Sequence, residues 1–136
     1  MKKVMQTKLV KGRGDCLPAC VASLLHLKLE DVPDFVALNR SRWPDLLLRW
    51  LSDYGYGNLV LSRQQASNVG LKESGALCIA VGKTTRSEEY HAVLWRRGKC
   101  LHDPHPYGAG LRGKPAYFIV LLRQTPTAVR KKGVNE

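Results

Sequence analysis

Acidic residues are scarce in this chain. Its 136 residues include 11 Asp and Glu against 22 Lys and Arg, a formal net charge of +11. Long apolar runs are missing too, and the longest, such as Phe118 to Leu122, fall far short of the ~20 residues a membrane-spanning helix needs. Lys2 and Lys3 open the chain, but no apolar stretch of signal-peptide length follows, so a cytoplasmic protein with no membrane partner is expected. Without a secretion signal, the four cysteines (Cys16, Cys20, Cys78, Cys100) do not read as a disulfide framework. No second Cys-x-x-Cys or His-x-x-x-His pair completes a zinc pattern, so no metal is expected, and no cofactor. Internal repeats, low-complexity segments and the usual nucleic-acid-binding motifs are absent as well.

What is present is an ordinary globular composition, 44% hydrophobic and 24% charged. The length suits one domain over residues 1–123, followed by a basic, flexible tail over 124–136 that carries Arg130, Lys131 and Lys132. The excess of cations suits an acidic protein partner or nucleic acid, and serves solubility equally well.

Helices come first. Asp15 is a suitable N-cap for a helix from about Cys16 to Leu27, Pro18 fits its first turn, and its broadly apolar surface predicts deep burial. A polar segment with Pro33 leads to a second helix from about Pro44 to Tyr54, stopped at Gly55. Beyond Gly57 the pattern changes to short β-rich runs: Asn58–Leu61, Ala76–Val81, Tyr90–Trp95, Lys99–Asp103 and Ala116–Leu122. Helices followed by strands predict an α+β fold, with a buried N-terminal helix packed on a C-terminal, largely antiparallel sheet.

Cys16 stands at the start of the first predicted helix, after the loop Gly12-Arg13-Gly14-Asp15. Unpaired amides and the positive end of the helix dipole favour a thiolate there. Cys20 lies one turn further in and reads as core, as do Cys78 and Cys100 within their strand-like runs. A thiolate nucleophile needs a base, and the base needs an orienting group. His91 opens one β run and Asp103 closes the next, with Arg96-Arg97-Gly98 between them. Read as a three-residue hairpin loop, that segment sets Trp95 opposite Lys99 and His91 directly opposite Asp103. A two-residue loop would put them on opposite faces. His102 then faces away, and His105 is the rival base. Trp43, Trp95 and Tyr107 are candidates for lining a cleft, or for the core.

Gly14-Asp15-Cys16 with Ala19-Cys20, then His91-Ala92-Val93-Leu94, then Asp103-Pro104, resembles the papain-like cysteine peptidases. Within them the likeness is to the peptidases that cleave double-glycine leaders in bacteriocin exporters, and to short stand-alone proteins of phages and bacteria. Val32-Pro33-Asp34-Phe35 and His102-Asp103-Pro104-His105-Pro106 also match the stand-alone proteins. The resemblance implies a papain-like fold, a peptide or protein substrate, and a cytoplasmic setting in a bacterium or phage-infected cell. It also implies that Gln6 donates to the oxyanion with the Cys16 amide, although Gln6 lies further ahead of the cysteine than is usual in the family. The catalytic set so expected is Cys16, His91, Asp103 and Gln6, cleaving an amide bond through a Cys16 thioester. Deamidases and acyltransferases use the same parts, and a catalytically silent binding module is the remaining alternative.

Overall fold

The computed structural model describes residues 1–9, 14–85 and 88–124. The first helix, α1 (Cys16–Leu25), forms as expected from its apolar sequence, with Pro18 in the turn whose amides lack helical partners. It ends two residues early, because His26 adopts a left-handed conformation (φ 60°) and its amide turns back to the Ala22 carbonyl. Every residue from Leu17 to Ser23 is buried. A 3-10 turn (Leu29–Asp31) and a four-residue helix, α2 (Phe35–Leu38), capped by Asp34, occupy the polar segment. In α3 (Trp43–Ser52) Pro44 sits in the first turn, and Leu47 and Leu51, four apart, are fully buried on one side. Phe35 packs edge-on against Trp50 with ring centroids 5.7 Å apart. Burying a side chain of this size stabilises the fold by roughly 1.5–3 kcal/mol.

Five strands follow: β1 (Tyr56–Ser62), β2 (Cys78–Lys83), β3 (Tyr90–Arg96), β4 (Lys99–His102) and β5 (Tyr117–Arg123). They form one sheet in the order β1-β5-β2-β3-β4, and every neighbouring pair is antiparallel. Two helices the sequence reading passed over, α4 (Arg63–Asn68) and α5 (Leu71–Ser74), connect β1 to β2. Their signal was legible in Ser62 and Gln65, which form a reciprocal capping box at the start of α4.

Alternation along the strands divides the core. Ile79, Val81, Ala92, Leu94 and Ile119 pack with α1, α2 and α3 on one face, while Cys78, Ala80, Val93 and Phe118 pack with Leu61 and Ala66 on the other. Among the described residues no helix is long and apolar enough to cross a membrane. Residues 125–136 of the expected tail, and Gly12 and Arg13 of the expected loop, lie outside the described residues.

The β3–β4 hairpin departs from the expected register. Its loop is two residues, Arg97-Gly98, and Arg96 pairs with Lys99 and Trp95 with Cys100. Both loop residues have positive φ (52° and 81°), the twist that joins antiparallel strands with least splay. The register then shifts: Leu94 pairs with His102, which leaves Leu101 as an extra residue, a β-bulge. The shorter loop moves the pairing by one and the bulge moves it by one more. Parity is thereby restored, and β4 ends at His102 with Asp103 just beyond it.

Candidate active site

Asp103 is fixed from three directions. It accepts from the His91 ring at 2.6 Å, from the His105 amide at 2.9 Å and from the Gly110 amide at 2.7 Å. The side chains of His91 and Asp103 are 5% and 3% exposed. Burial would raise the Asp103 carboxyl, but the bonds from His91 and the two amides outweigh it and hold it at about 2. At neutral pH the carboxylate therefore only accepts, so His91 Nε2 carries the proton between them and Nδ1 is the nitrogen left for a second partner.

That second partner is Cys16. Burial opposes a charged His91, yet hydrogen bonds to Asp103 and Cys16, with their negative charges, raise it to about 9. The backbone joins in. β3 runs beyond its pairing with β4, which begins at Leu94, and there the Ala92 amide donates to Cys16 Sγ at 3.4 Å. The thiol is thus placed at a helix start, beside an imidazole and under a backbone donor. Cys16, His91 and Asp103 come together as the sequence predicted, but through a bulge and a loop rather than as a directly opposed pair.

Gln6 joins them from the N-terminal segment. Residues 2–8 cross the site as a strap tied to both sides. The Lys2 amide bonds the Ser23 carbonyl, the Val4 amide bonds Ser23 Oγ, and His102 Nε2 bonds the Val4 carbonyl at 2.8 Å. The Gln6 amide bonds the Pro104 carbonyl at 3.0 Å. Gln6 is 6% exposed and shares a cleft with Cys16 and His91. Its Nε2 donates to the Lys8 carbonyl at 2.9 Å. Its Oε1 is the one buried side-chain polar atom without a partner among the described residues. A buried orphan acceptor of this kind costs about 1–3 kcal/mol. Gly14 packs closely on the strap, where a Cβ would just touch Gln6 Nε2 and the Lys8 carbonyl at 3.4 Å.

The cleft has a volume of about 1160 Å³. Trp43, Tyr90, Tyr107 and Tyr117 give it aromatic walls, and Arg40, Lys83, Glu88 and Glu89 give it charge of both signs. Burial, together with Tyr90 and Cys16, raises the Tyr117 phenol above its ordinary range. Nothing in the sequence reading had singled out Tyr90 or Tyr117.

Other expectations are corrected. Asp15 occupies the N-cap position but makes no capping bond; its carboxylate turns back to the strap instead. Of the two places open to Trp95 the structure gives the core, where it packs against Phe118 on the sheet face opposite the cleft. Cys100 is exposed rather than core, because β4 is an edge strand with nothing beyond it to cover the residue. Cys20 and Cys78 are buried, and burial raises both thiols, Cys78 to about 11. His105 lines the cleft, and its Nδ1 accepts from the Tyr107 amide at 3.2 Å, so the ring that meets both Asp103 and Cys16 is His91. Among the described residues no three His, Cys, Asp or Glu side chains are grouped so as to hold a metal ion. No protein-family model, no curated protein and no solved structure matches the chain significantly.

Proposed function

We propose that this chain is a cysteine acyl-transfer enzyme of papain-like arrangement that hydrolyses an amide bond in a peptide or protein. One observation carries the reading: a buried imidazole held by a carboxylate at 2.6 Å shares a cleft with a thiol at a helix start, which takes the amide of the next strand residue at 3.4 Å. Three side chains in that order, from three separated stretches of sequence, are the parts of nucleophilic catalysis.

The chemistry follows from the placement. Cys16 thiolate adds to the substrate carbonyl carbon, and the carbonyl π pair moves to oxygen. The Cys16 amide, a first-turn donor without a helical acceptor, is one donor for that developing charge, and Gln6 Nε2, whose residue lines the same cleft, is the second. Imidazolium His91 passes its proton to the leaving nitrogen as the C–N bond breaks, leaving a thioester on Cys16. Water, deprotonated by the now neutral His91, adds to the thioester and expels the thiolate. Asp103 keeps the ring oriented and its Nε2 protonated throughout.

The test uses p-nitrophenyl acetate, whose acyl group reports on the thiol without any assumption about sequence preference. A burst of one p-nitrophenolate per chain, with the acetyl group found on Cys16 by mass spectrometry, is the expected result. Cys16→Ala should remove the burst. A burst that survives Cys16→Ala, or an acetyl group confined to exposed Cys100, would contradict the reading and leave a binding module with an inert thiol.

A further inference from the structure

Asp15 stands next to the nucleophile, and among the described residues its carboxylate bonds only the N-terminal strap. It is 4% exposed, and its side chain makes no capping bond to the helix it precedes. Oδ1 accepts from the Thr7 amide at 2.9 Å and the Lys8 amide at 2.8 Å, and Oδ2 accepts from the Thr7 hydroxyl at 3.0 Å. The ties at Val4 and at the Gln6 amide fix the strap up to Gln6. Beyond Gln6, Asp15 holds the Thr7 and Lys8 amides and the Thr7 hydroxyl, and Lys8 Nζ adds an exposed ion pair to Asp34 at 3.6 Å. Lys8 is the link: Asp15 holds its amide, and its carbonyl in turn holds Gln6 Nε2.

We propose that Asp15 is a positioning residue for the oxyanion site, setting the Gln6 side chain beside Cys16 through the Thr7–Lys8 peptide. The assignment rests on the acyl-transfer reading above. An aspartate suits the task because three donors converge on it and a carboxylate offers acceptors alone. It also gives a physical reason for the glutamine's distance from Cys16 along the sequence: the carboxylate at position 15 draws the chain back, so a longer intervening segment still delivers Gln6 to the cleft.

Two reactions of Cys16 separate positioning from folding. Alkylation by iodoacetamide forms the S–C bond as iodide leaves and builds no oxyanion. Acylation by p-nitrophenyl acetate adds the thiolate to the carbonyl, places the π pair on oxygen, and then expels p-nitrophenolate. Both are measured on the full chain, with mass spectrometry resolving Cys16 from the other thiols. Gln6→Ala is expected to slow acylation by about 100-fold and to leave alkylation within about twofold. Asp15→Ala should slow acylation by about 10- to 100-fold, again sparing alkylation, and should add no further loss in the Gln6→Ala background. Asp15→Asn should recover most of the rate, since one oxygen still accepts the two amides and its NH2 can donate to the Thr7 hydroxyl. Should alanine at position 15 unfold the chain, Lys8→Pro, which deletes the strap amide and leaves the carboxylate, carries the same expectation.

Equal slowing of alkylation and acylation in the position-15 or position-8 variant, or losses that multiply with Gln6→Ala, would overturn the assignment. A wild-type chain that alkylates normally at Cys16 but never acylates there would instead overturn the acyl-transfer reading, and this assignment with it.

Discussion

Cys16 and Cys78 are thiols on opposite faces of one sheet. Cys16 meets an imidazole, a backbone amide and an open cleft. Cys78 is 1% exposed, with the Trp95 carbonyl 3.6 Å from its sulfur and apolar neighbours in Ala80, Val93 and Phe118. The strands supply the same alternation of apolar side chains to both faces, so the sheet does not make the difference. What differs is the polar structure brought to one end: the strap, the start of α1 and the loop after β4 converge at Cys16. On the other face the thiol meets apolar side chains and the Trp95 carbonyl.

The largest expected effect tests that contrast directly. With its thiol at about 11, Cys78 is ionised at pH 7 in about one molecule in 10⁴ and is shielded as well. In the native chain iodoacetamide should therefore label Cys16 and spare Cys78 until denaturant is added, as peptide mapping would reveal. Labelling of Cys78 at a comparable native rate would erase the distinction between the faces.

The next effect exchanges function for stability. Phe118→Ala opens the back face and should cost about 3–5 kcal/mol in denaturant unfolding, while the Cys16 alkylation rate of the folded protein stays unchanged. Asp103→Ala should do both kinds of damage. It strands the His105 and Gly110 amides at about 1–3 kcal/mol each, and it slows Cys16 by freeing the ring of His91.

A pH titration of stability separates the faces further. His91 is raised from 6.5 to about 9, so its contribution is full below about 6.5 and is lost as pH rises through about 9. Asp103 is lowered from 3.8 to about 2, so its contribution is full above about 3.8 and is lost as pH falls through about 2. Unfolding curves of the wild type should show both slopes, and the double variant His91→Ala/Asp103→Ala should flatten them. Slopes that persist in the double variant would assign the linkage elsewhere.

The smallest effect lies in the hairpin. Arg97 holds φ 52°, a conformation costly for most side chains. Arg97→Asn suits the turn better but gives up the bond from Arg97 to the Glu73 carbonyl, so a net gain of about 0.5 kcal/mol in thermal unfolding is expected.

Much of this was legible in residues alone. Pro18 and Pro44 in first turns, Gly55 as a stop and the alternation of the β runs gave the elements and the antiparallel α+β class. Cys16, His91 and Asp103 were legible because their chemistry demands partners. The route by which His91 meets Asp103 was not. Turn length depended on Arg97 accepting a left-handed backbone, which few residues other than Gly, Asn and Asp favour, and the bulge at Leu101 leaves no local mark. The role of Asp15 was hidden for a similar reason. Its position fits a helix cap, and only the tertiary path of the strap offers three better donors. Cys100 was misplaced, and Trp95 left open between cleft and core, because strand order, which decides edge from centre and front from back, is not written in any one strand.

The rate of Cys16 acylation by p-nitrophenyl acetate at pH 7 tests the central claim, a thiol served by a histidine that Asp103 holds, most directly. His91→Ala should slow it by about 100-fold, and Asp103→Asn should lie between that variant and the wild type. Equal rates for the wild type and His91→Ala would contradict the account, since Cys16 would then owe its reactivity nothing to the histidine beside it.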